Sequence, residues 1–425
     1  MITDVSTDPV TTPIASINTL DSNYKYIMFK NEELIWDFNP FDTLADWTSY
    51  AGSIGATYSL ISSFDGGWIG VLSGGTTIGY IDFAPFPQGY NQVRIAFGNI
   101  FGSGNVSVKI NGTTKHTISD LSSYTWSGAV STGDIIRIEE DFSIIDANIK
   151  ITLMKDQSSY SVNFPENTTG DILVVGGGGA GGTQYIGGGG GAGGLVYDTN
   201  ISLSGTYNIL VGRGGVAVST GGEEDGLSSK ISQSASTLYE GYGGGNGGTY
   251  SYPNGETGGS SGGTTWTSGR TQNNNDALTN HPLANATKGT PIDKSFGNQG
   301  AVYYVVQGKF YSGGGGGAGS NAYRETGKYG WGGDGKLINI TGQNLYYAGG
   351  GGGGSDWAGY AASGGSGIGG NGASGNEDPN ISPTSGAHHT GSGGCGGGGG
   401  SGGAVNDGGG SGGSGIVIIR YRDKW

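Results

Sequence analysis

The chain has 425 residues, of which 95 are glycine, one is cysteine and only 13% are charged. Its 34 acidic against 20 basic residues give a net charge of −14, and with no Lys/Arg cluster this argues against nucleic acid or anionic membrane as a partner. The lone Cys395 excludes an intramolecular disulfide framework, and no apolar run approaches the roughly 20 residues of a membrane-spanning helix.

In chain order, residues 1–22 are polar, contain Pro9 and Pro13, show no periodicity and read as an arm or tether. The start, Met1-Ile2-Thr3-Asp4, lacks the basic residues and apolar core of a secretory signal, so synthesis in a cytoplasm is expected. Tyr24-Lys25-Tyr26-Ile27-Met28-Phe29 predicts a strand. Residues 33–155 have the composition of a β-sandwich, with strands predicted at 56–64, 68–72, 77–83, 92–97, 106–110, 115–118, 135–139 and 149–154. Asn111-Gly112 between two β-rich runs is the strongest hairpin signal, because both turn positions need φ > 0. Trp47, Trp68, Tyr124 and Trp126 serve equally as core or as a sugar-stacking platform, and Tyr90 beside Pro87-Gln88-Gly89 reads as an exposed ring. Trp68, Tyr90 and Trp126 are the candidate glycan-binding residues.

All but 15 of the glycines follow residue 165. They come in runs at 176–179, 187–191, 313–317, 349–354 and 396–400, flanked by apolar segments such as Ile172-Leu173-Val174-Val175 and Ile416-Val417-Ile418-Ile419. Ordering a glycine costs roughly 0.5–1 kcal/mol more than ordering alanine. Only a dense backbone hydrogen-bond network offsets that. Collagen is excluded by the absence of a Gly-X-Y period and by only 11 prolines. Extended glycine helices of three residues per turn, packed side by side, fit the pattern. The closing run from Ile416 to Tyr421 predicts a strand buried mid-sheet.

Several motifs imitate chemistry without its context. Val175-Gly176-Gly177-Gly178-Gly179-Ala180-Gly181 matches a dinucleotide fingerprint, but glycines occupy the place of the helix that would face the pyrophosphate. His388-His389 reads as a solvated loop, and the acidic triplets Glu139-Glu140-Asp141 and Glu223-Glu224-Asp225 read as solvated surface rather than calcium loops. Seven Asn-X-Ser/Thr sequons are ascribed to an Asn/Ser/Thr-rich composition. No nucleophile–base–orienter set is recognisable. The expectation is a non-enzyme without cofactor or metal.

The strand–glycine–strand order from Tyr160 through Val175, Gly194-Leu195-Val196-Tyr197-Asp198 and the stretch from Leu203 to Gly215, closing on the run from Gly412 to Tyr421, resembles a glycine-rich domain family. That family occurs in structural proteins of large algal DNA viruses and in bacteriophage tail fibres. More distantly, the glycine half is similar to polyglycine-II adhesins at phage fibre tips and to the extracellular glycine-rich region of anaplastic lymphoma kinase. Long strands distinguish this chain from the phage adhesins and imply a mixed domain.

The resemblance implies an all-β fold: a jelly-roll-like β-sandwich plus a glycine-rich domain mixing strands with packed polyglycine-II helices. The expected layout is an arm at 1–22, a strand of the glycine-rich domain at 23–32, the lectin-like sandwich at 33–155 and the glycine-rich domain at 156–425. The expected role is a virion surface or fibre component for host attachment. It would contact other virion proteins and, through the sandwich or the loops at 243–300 and 371–392, a host-surface glycan, self-associate as a trimer, and bind neither nucleic acid nor membrane. A phage tail-fibre tip adhesin and a cellular carbohydrate-binding accessory protein are the alternatives. Ice binding would want disulfide staples and short regular repeats, which this chain lacks.

Overall fold

The computed structural model describes residues 15–20, 24–31, 33–38, 70–72, 79–83, 90–101, 106–118, 124–131, 133–140, 144–183, 186–217, 223–265, 294–323, 329–356, 360, 362–374, 383–397 and 408–422. The chain divides into two compact units, one formed by residues 1–32 with 157–425 and the other by residues 33–156. The first begins with β1 (Ala15–Thr19) and β2 (Tyr24–Lys30), an antiparallel pair. β1 corrects the reading of residues 1–22 as a tether throughout. With Ile17 as its one bulky apolar residue it carries little signal of its own, and its register with β2 defines it.

The inserted unit holds β3 (Glu33–Phe38), β4 (Gly70–Leu72), β5 (Gly79–Phe83), β6 (Gln92–Phe101), β7 (Val106–Ile110), β8 (Thr113–Ile118), β9 (Tyr124–Ala129), β10 (Ile136–Glu140) and β11 (Ile144–Met154). They form two antiparallel sheets, β5-β10-β7-β8 and β3-β11-β6-β9, with β4 also on β11. Val93, Ile95, Val108 and Ile136 are fully buried. The Asn111-Gly112 turn joins β7 to β8 with φ of 49° and 77°. Asn111 also donates to Asp134 Oδ1 at 2.8 Å and accepts from the Ile135 amide at 2.9 Å. The strand expected at 56–64 lies outside the described residues.

The larger unit continues with β12 (Gln157–Val175), β13 (Leu195–Gly212), β14 (Ser229–Gln233), β15 (Ser236–Gly241), β16 (Ser295–Phe296), β17 (Tyr304–Val306), β18 (Lys309–Tyr311), β19 (Lys336–Ile338), β20 (Leu345–Tyr347) and β21 (Ile416–Arg422). Its main sheet runs β1-β2-β21-β12-β13-β14-β15, with β16 added to β13. Along β12, Val174 aligns through Val417 with Phe29. Tyr160 lies fourteen residues earlier on the same strand, about 46 Å away if the strand were straight. Yet the Phe29 and Tyr160 rings are 5.4 Å apart, and the Tyr160 hydroxyl donates to the Lys30 carbonyl at 2.6 Å. The β12–β13 hairpin is therefore doubled over, at register breaks between Phe164 and Thr168 and between Gly170 and Ile172. Pro165, which has no N–H to donate, sits in that bend, and its carbonyl accepts from the Thr168 hydroxyl at 2.8 Å.

Between the two layers lies a core of Ile27, Phe29, Tyr160, Phe164, Ile172, Ile419 and neighbours. The opposite face, with Leu173, Val175, Leu195, Ile416 and Ile418, packs on Ala192, Ala318, Ile340, Tyr347 and Ala348. Burial on both faces is why Ile172-Leu173-Val174-Val175 and Ile416-Val417-Ile418-Ile419 are apolar at every position.

The glycine runs continue those strands as three-fold helices. In residues 176–182, the amides of Gly176, Gly179 and Gly182 donate to Gly194, Gly191 and Gly188, those of Gly177 and Ala180 to Leu227 and Glu224, and those of Gly178 and Gly181 to Gly413 and Gly410. Every third residue meets the same neighbour, which fixes three residues per turn. The segment at 187–194 is the hub. Its amides donate to segments near 391–397, 242–248 and 313–316, and its carbonyls accept from segments near 176–182, 260–263 and 351–354, so six helices surround it. At the glycines the spacing leaves no room for a side chain. A Cβ on Gly190 would stand 2.2 Å from the Gly179 carbonyl oxygen, and one on Gly351 would stand 1.9 Å from that of Gly394.

Candidate functional site

Hydrogen-bond register gives the glycine block two unlike ends. Gly176, Gly194 and Gly415 adjoin the sheet, whereas Gly182, Gly188, Gly248, Gly354 and Gly397 are bonded together at the far end. Toward that far end run the turn at 249–254, the β17–β18 hairpin, Ser355 and Tyr360.

The 249–254 turn is clasped by its own first residue. The Thr249 amide donates to the Tyr252 carbonyl at 2.8 Å, and the Tyr252 amide donates to Thr249 Oγ1 at 3.0 Å. The Thr265 amide anchors it through the Pro253 carbonyl at 2.9 Å. Held this way, Tyr250 and Tyr252 stand 41% and 74% exposed, and Tyr252 is the most exposed large hydrophobic side chain among the described residues. Thr265 and Ser312 share a hydroxyl contact of 3.0 Å, and both bond the Ile186 carbonyl.

Next to Ser312, Tyr311 opens a tyrosine cluster. Its ring centroid lies 5.2 Å from Tyr329 and 5.0 Å from Tyr360, and Tyr329 lies 5.6 Å from Tyr304. The Tyr360 hydroxyl donates to the Tyr329 carbonyl at 2.9 Å. The β17–β18 turn is Gln307-Gly308, with φ of 51° and 74°. Asp356 accepts from the Phe310 amide at 2.7 Å, and burial raises its carboxyl above the usual range. Burial, with Tyr360 and Asp356 alongside, pushes the Tyr311 phenol up to about 12. The tyrosines offer aromatic faces and hydroxyls, which suits polyhydroxylated ligands better than ions.

The sequence candidates lie in the inserted unit. Trp68 is outside the described residues. The Trp126 backbone lies on β9 opposite Ile95, whereas Tyr90 precedes β6, so the two share no cross-strand row. Tyr90 is half-buried with the Lys155 ammonium 5.4 Å from its ring centre, which corrects its reading as an exposed ring. Tyr250 and Tyr252 fall in the loop stretch 243–300 that the sequence offers as a glycan-meeting surface. The signal that marks Tyr250 and Tyr252 is the Pro253-Asn254-Gly255 turn beside two aromatics.

Two further readings are corrected. Glu223-Glu224-Asp225 is not idle surface: Glu223 accepts from the Thr183 amide and hydroxyl, Glu224 pairs with Arg213 at 2.8 Å, and Asp225 accepts from the Asn246 amide at 2.8 Å. Glu223 thus satisfies an amide where the 176–182 helix ends, and Asp225 satisfies one within 242–248. His388 and His389 are half-buried, and His389 Nδ1 is 3.1 Å from the Ser414 hydroxyl. Among the described residues, no group of three or more His, Cys, Asp or Glu is placed to hold a metal. A cavity of about 60 Å³ lined by Ile172, Leu203, Tyr207, Ile231, Tyr239 and Ile419 lies in the doubled sheet and is far below the roughly 300 Å³ of a ligand pocket.

No curated protein matches the chain. A family profile described as a glycine-rich domain matches residues 155–422, which takes in β12 through β21 and every glycine helix. Over that span, the chain belongs to the glycine-rich domain family.

Proposed function

We propose that this chain is a non-enzymatic display protein, a surface or fibre component of a virion that attaches to host-surface glycan. The observation that carries the reading is the gathering of Tyr250, Tyr252 and the tyrosine cluster at the block's far end, away from the sheet. A lattice bonded through its backbone holds such turns still, while their sequence stays free to vary. The inserted unit, read as a jelly-roll-like sandwich, would be a second displayed module. Self-association and contact with other virion proteins complete the proposal, and a phage fibre-tip adhesin would use the same face.

The test is a glycan array probed with the full chain and with the Tyr250→Ala/Tyr252→Ala double variant. Binding that the double variant loses supports recognition at the far end. Binding that it retains moves recognition elsewhere, with Trp68, Tyr90 and Trp126 next to be substituted. No binding by either protein removes the attachment role.

A further inference from the structure

We propose that the tyrosine cluster is a site of oxidative cross-linking, at which Tyr329 couples covalently to Tyr311. The idea does not depend on the attachment role and is tested separately from it. Tyr329 is half-buried and Tyr311 is 3% exposed. Their ring centroids are 5.2 Å apart with only 36° between the planes. A modest ring rotation brings rim carbons together at that separation. Tyr360 is as close to Tyr311 but meets it edge-on at 81°, and Tyr304 stands 5.6 Å from Tyr329 at 53°. Tyr329 and Tyr311 are thus the pair closest to facing, and Tyr329 is the more accessible to an oxidant.

The chemistry requires an external peroxide-class oxidant acting in one-electron steps. Each phenol gives up one electron and one proton, and the two phenoxyl radicals join through carbons ortho to oxygen. Both rings then recover aromaticity by moving the ortho hydrogens to oxygen. The net change is two hydrogens lost from the protein and one peroxide bond reduced. Competing outcomes are limited by the surroundings: Ser312, beside Tyr311, and Gly330, beside Tyr329, are hydrogen-bonded into the glycine block through Gly354 and Gly353, so the rings cannot drift apart. A chain whose single cysteine rules out an internal disulfide has in this pair another means of tying two far-end segments together.

The test uses the full chain with a ruthenium tris-bipyridine photo-oxidant and persulfate, small enough to reach half-buried rings, followed by tryptic mass spectrometry. Arg324 and Lys328 separate Tyr311 from Tyr329, so the link joins two peptides at their summed mass less two hydrogens. The expected result is that link in the monomer, lost in Tyr329→Phe and in Tyr311→Phe, and kept in Tyr252→Phe. Thermal melts of the Phe variants distinguish loss of the link from loss of the fold. A chain in which Tyr311 and Tyr329 stay unlinked overturns the proposal, whether or not Tyr250 or Tyr252 cross-links between chains.

Discussion

Substituting Gly190 by alanine tests the lattice directly. The new Cβ would lie 2.2 Å from the Gly179 carbonyl oxygen and 2.7 Å from that of Ala180, well inside contact distance. Relief requires helices 176–182 and 187–194 to separate by about 1 Å, since ordinary heavy-atom contacts sit near 3.5 Å. Three bonds span that contact, from Gly176 to Gly194 at 3.1 Å, Gly179 to Gly191 at 2.8 Å and Gly182 to Gly188 at 2.8 Å. Leaving buried amides unsatisfied costs about 1–3 kcal/mol each. Overpacking alone costs about 1–3 kcal/mol. Against this, alanine narrows the unfolded ensemble and returns about 0.4–1 kcal/mol. With one of the three bonds lost, the expected net loss is about 1–6 kcal/mol, which at roughly 2–4 °C per kcal/mol lowers Tm by about 2–24 °C. Gly408→Ala is the control, because nothing lies within 4 Å of a Cβ there and its φ is not positive. Thermal melts followed by circular dichroism decide the matter. If Gly190→Ala melts with Gly408→Ala, the glycine helices are not close-packed and the reasoning fails.

Three other outcomes follow from the geometry. Arg420 bonds Asp171 through Nε at 2.8 Å and Nη2 at 2.6 Å and donates to the Asn339 carbonyl at 3.0 Å, so Arg420→Ala should cost about 2–3 kcal/mol in urea denaturation and Arg420→Lys should recover only part. Asp356 has its carboxyl raised by burial, so the folded state binds its proton more tightly than the unfolded state and stability falls as pH rises from about 3.8 through the raised value. Asp356→Asn keeps an oxygen for the Phe310 amide and should flatten that part of the Tm–pH curve; an unchanged slope would count against the assignment. Burial pushes the phenols of Tyr239, Tyr311 and Tyr347 from 10.0 to about 12, so stability held by their neutral forms should drain away between those pH values, and ultraviolet titration should show late-ionising tyrosines.

The all-β class and the three-fold glycine helices were legible because apolar strands such as those at 172–175 and 416–419 adjoin the glycine-rich stretches and no helix-forming segment intervenes. The Asn111-Gly112 turn was legible for a local reason: two adjacent positions that need positive φ. What stayed hidden was pairing. The neighbours of 187–194 come from segments as distant as 242–248 and 391–397, and a glycine run carries no side chain to announce its partner. β1 was hidden because an edge strand borrows its stability from β2. The doubling of β12 was equally hidden, since alternation along 157–175 looks the same in a straight strand and in one folded at Pro165. The expectation of glycan-meeting loops at 243–300 takes in Tyr250 and Tyr252, but a polar, glycine-rich stretch conceals how firmly Thr249 and Thr265 hold the turn.

The threefold repeat of the lattice also bears on how such a chain changes length. A glycine helix advanced by three residues presents the same donors to the same neighbours, so nothing within it records how far it has slid. Alignment must come from its ends, where Val175, Leu195 and Ile416 are locked into the sheet, and from occasional interior residues such as Ala180, Ala192 and Cys395. Gaining or losing three glycines then alters only how far the far-end turns stand from the sheet. Gaining or losing one moves each later residue to the next position of the screw, where an acceptor still waits, but turns the point at which the chain leaves the helix by a third of a turn. A lineage built on this block can grow taller or shorter in triplets while its bonding plan stays intact.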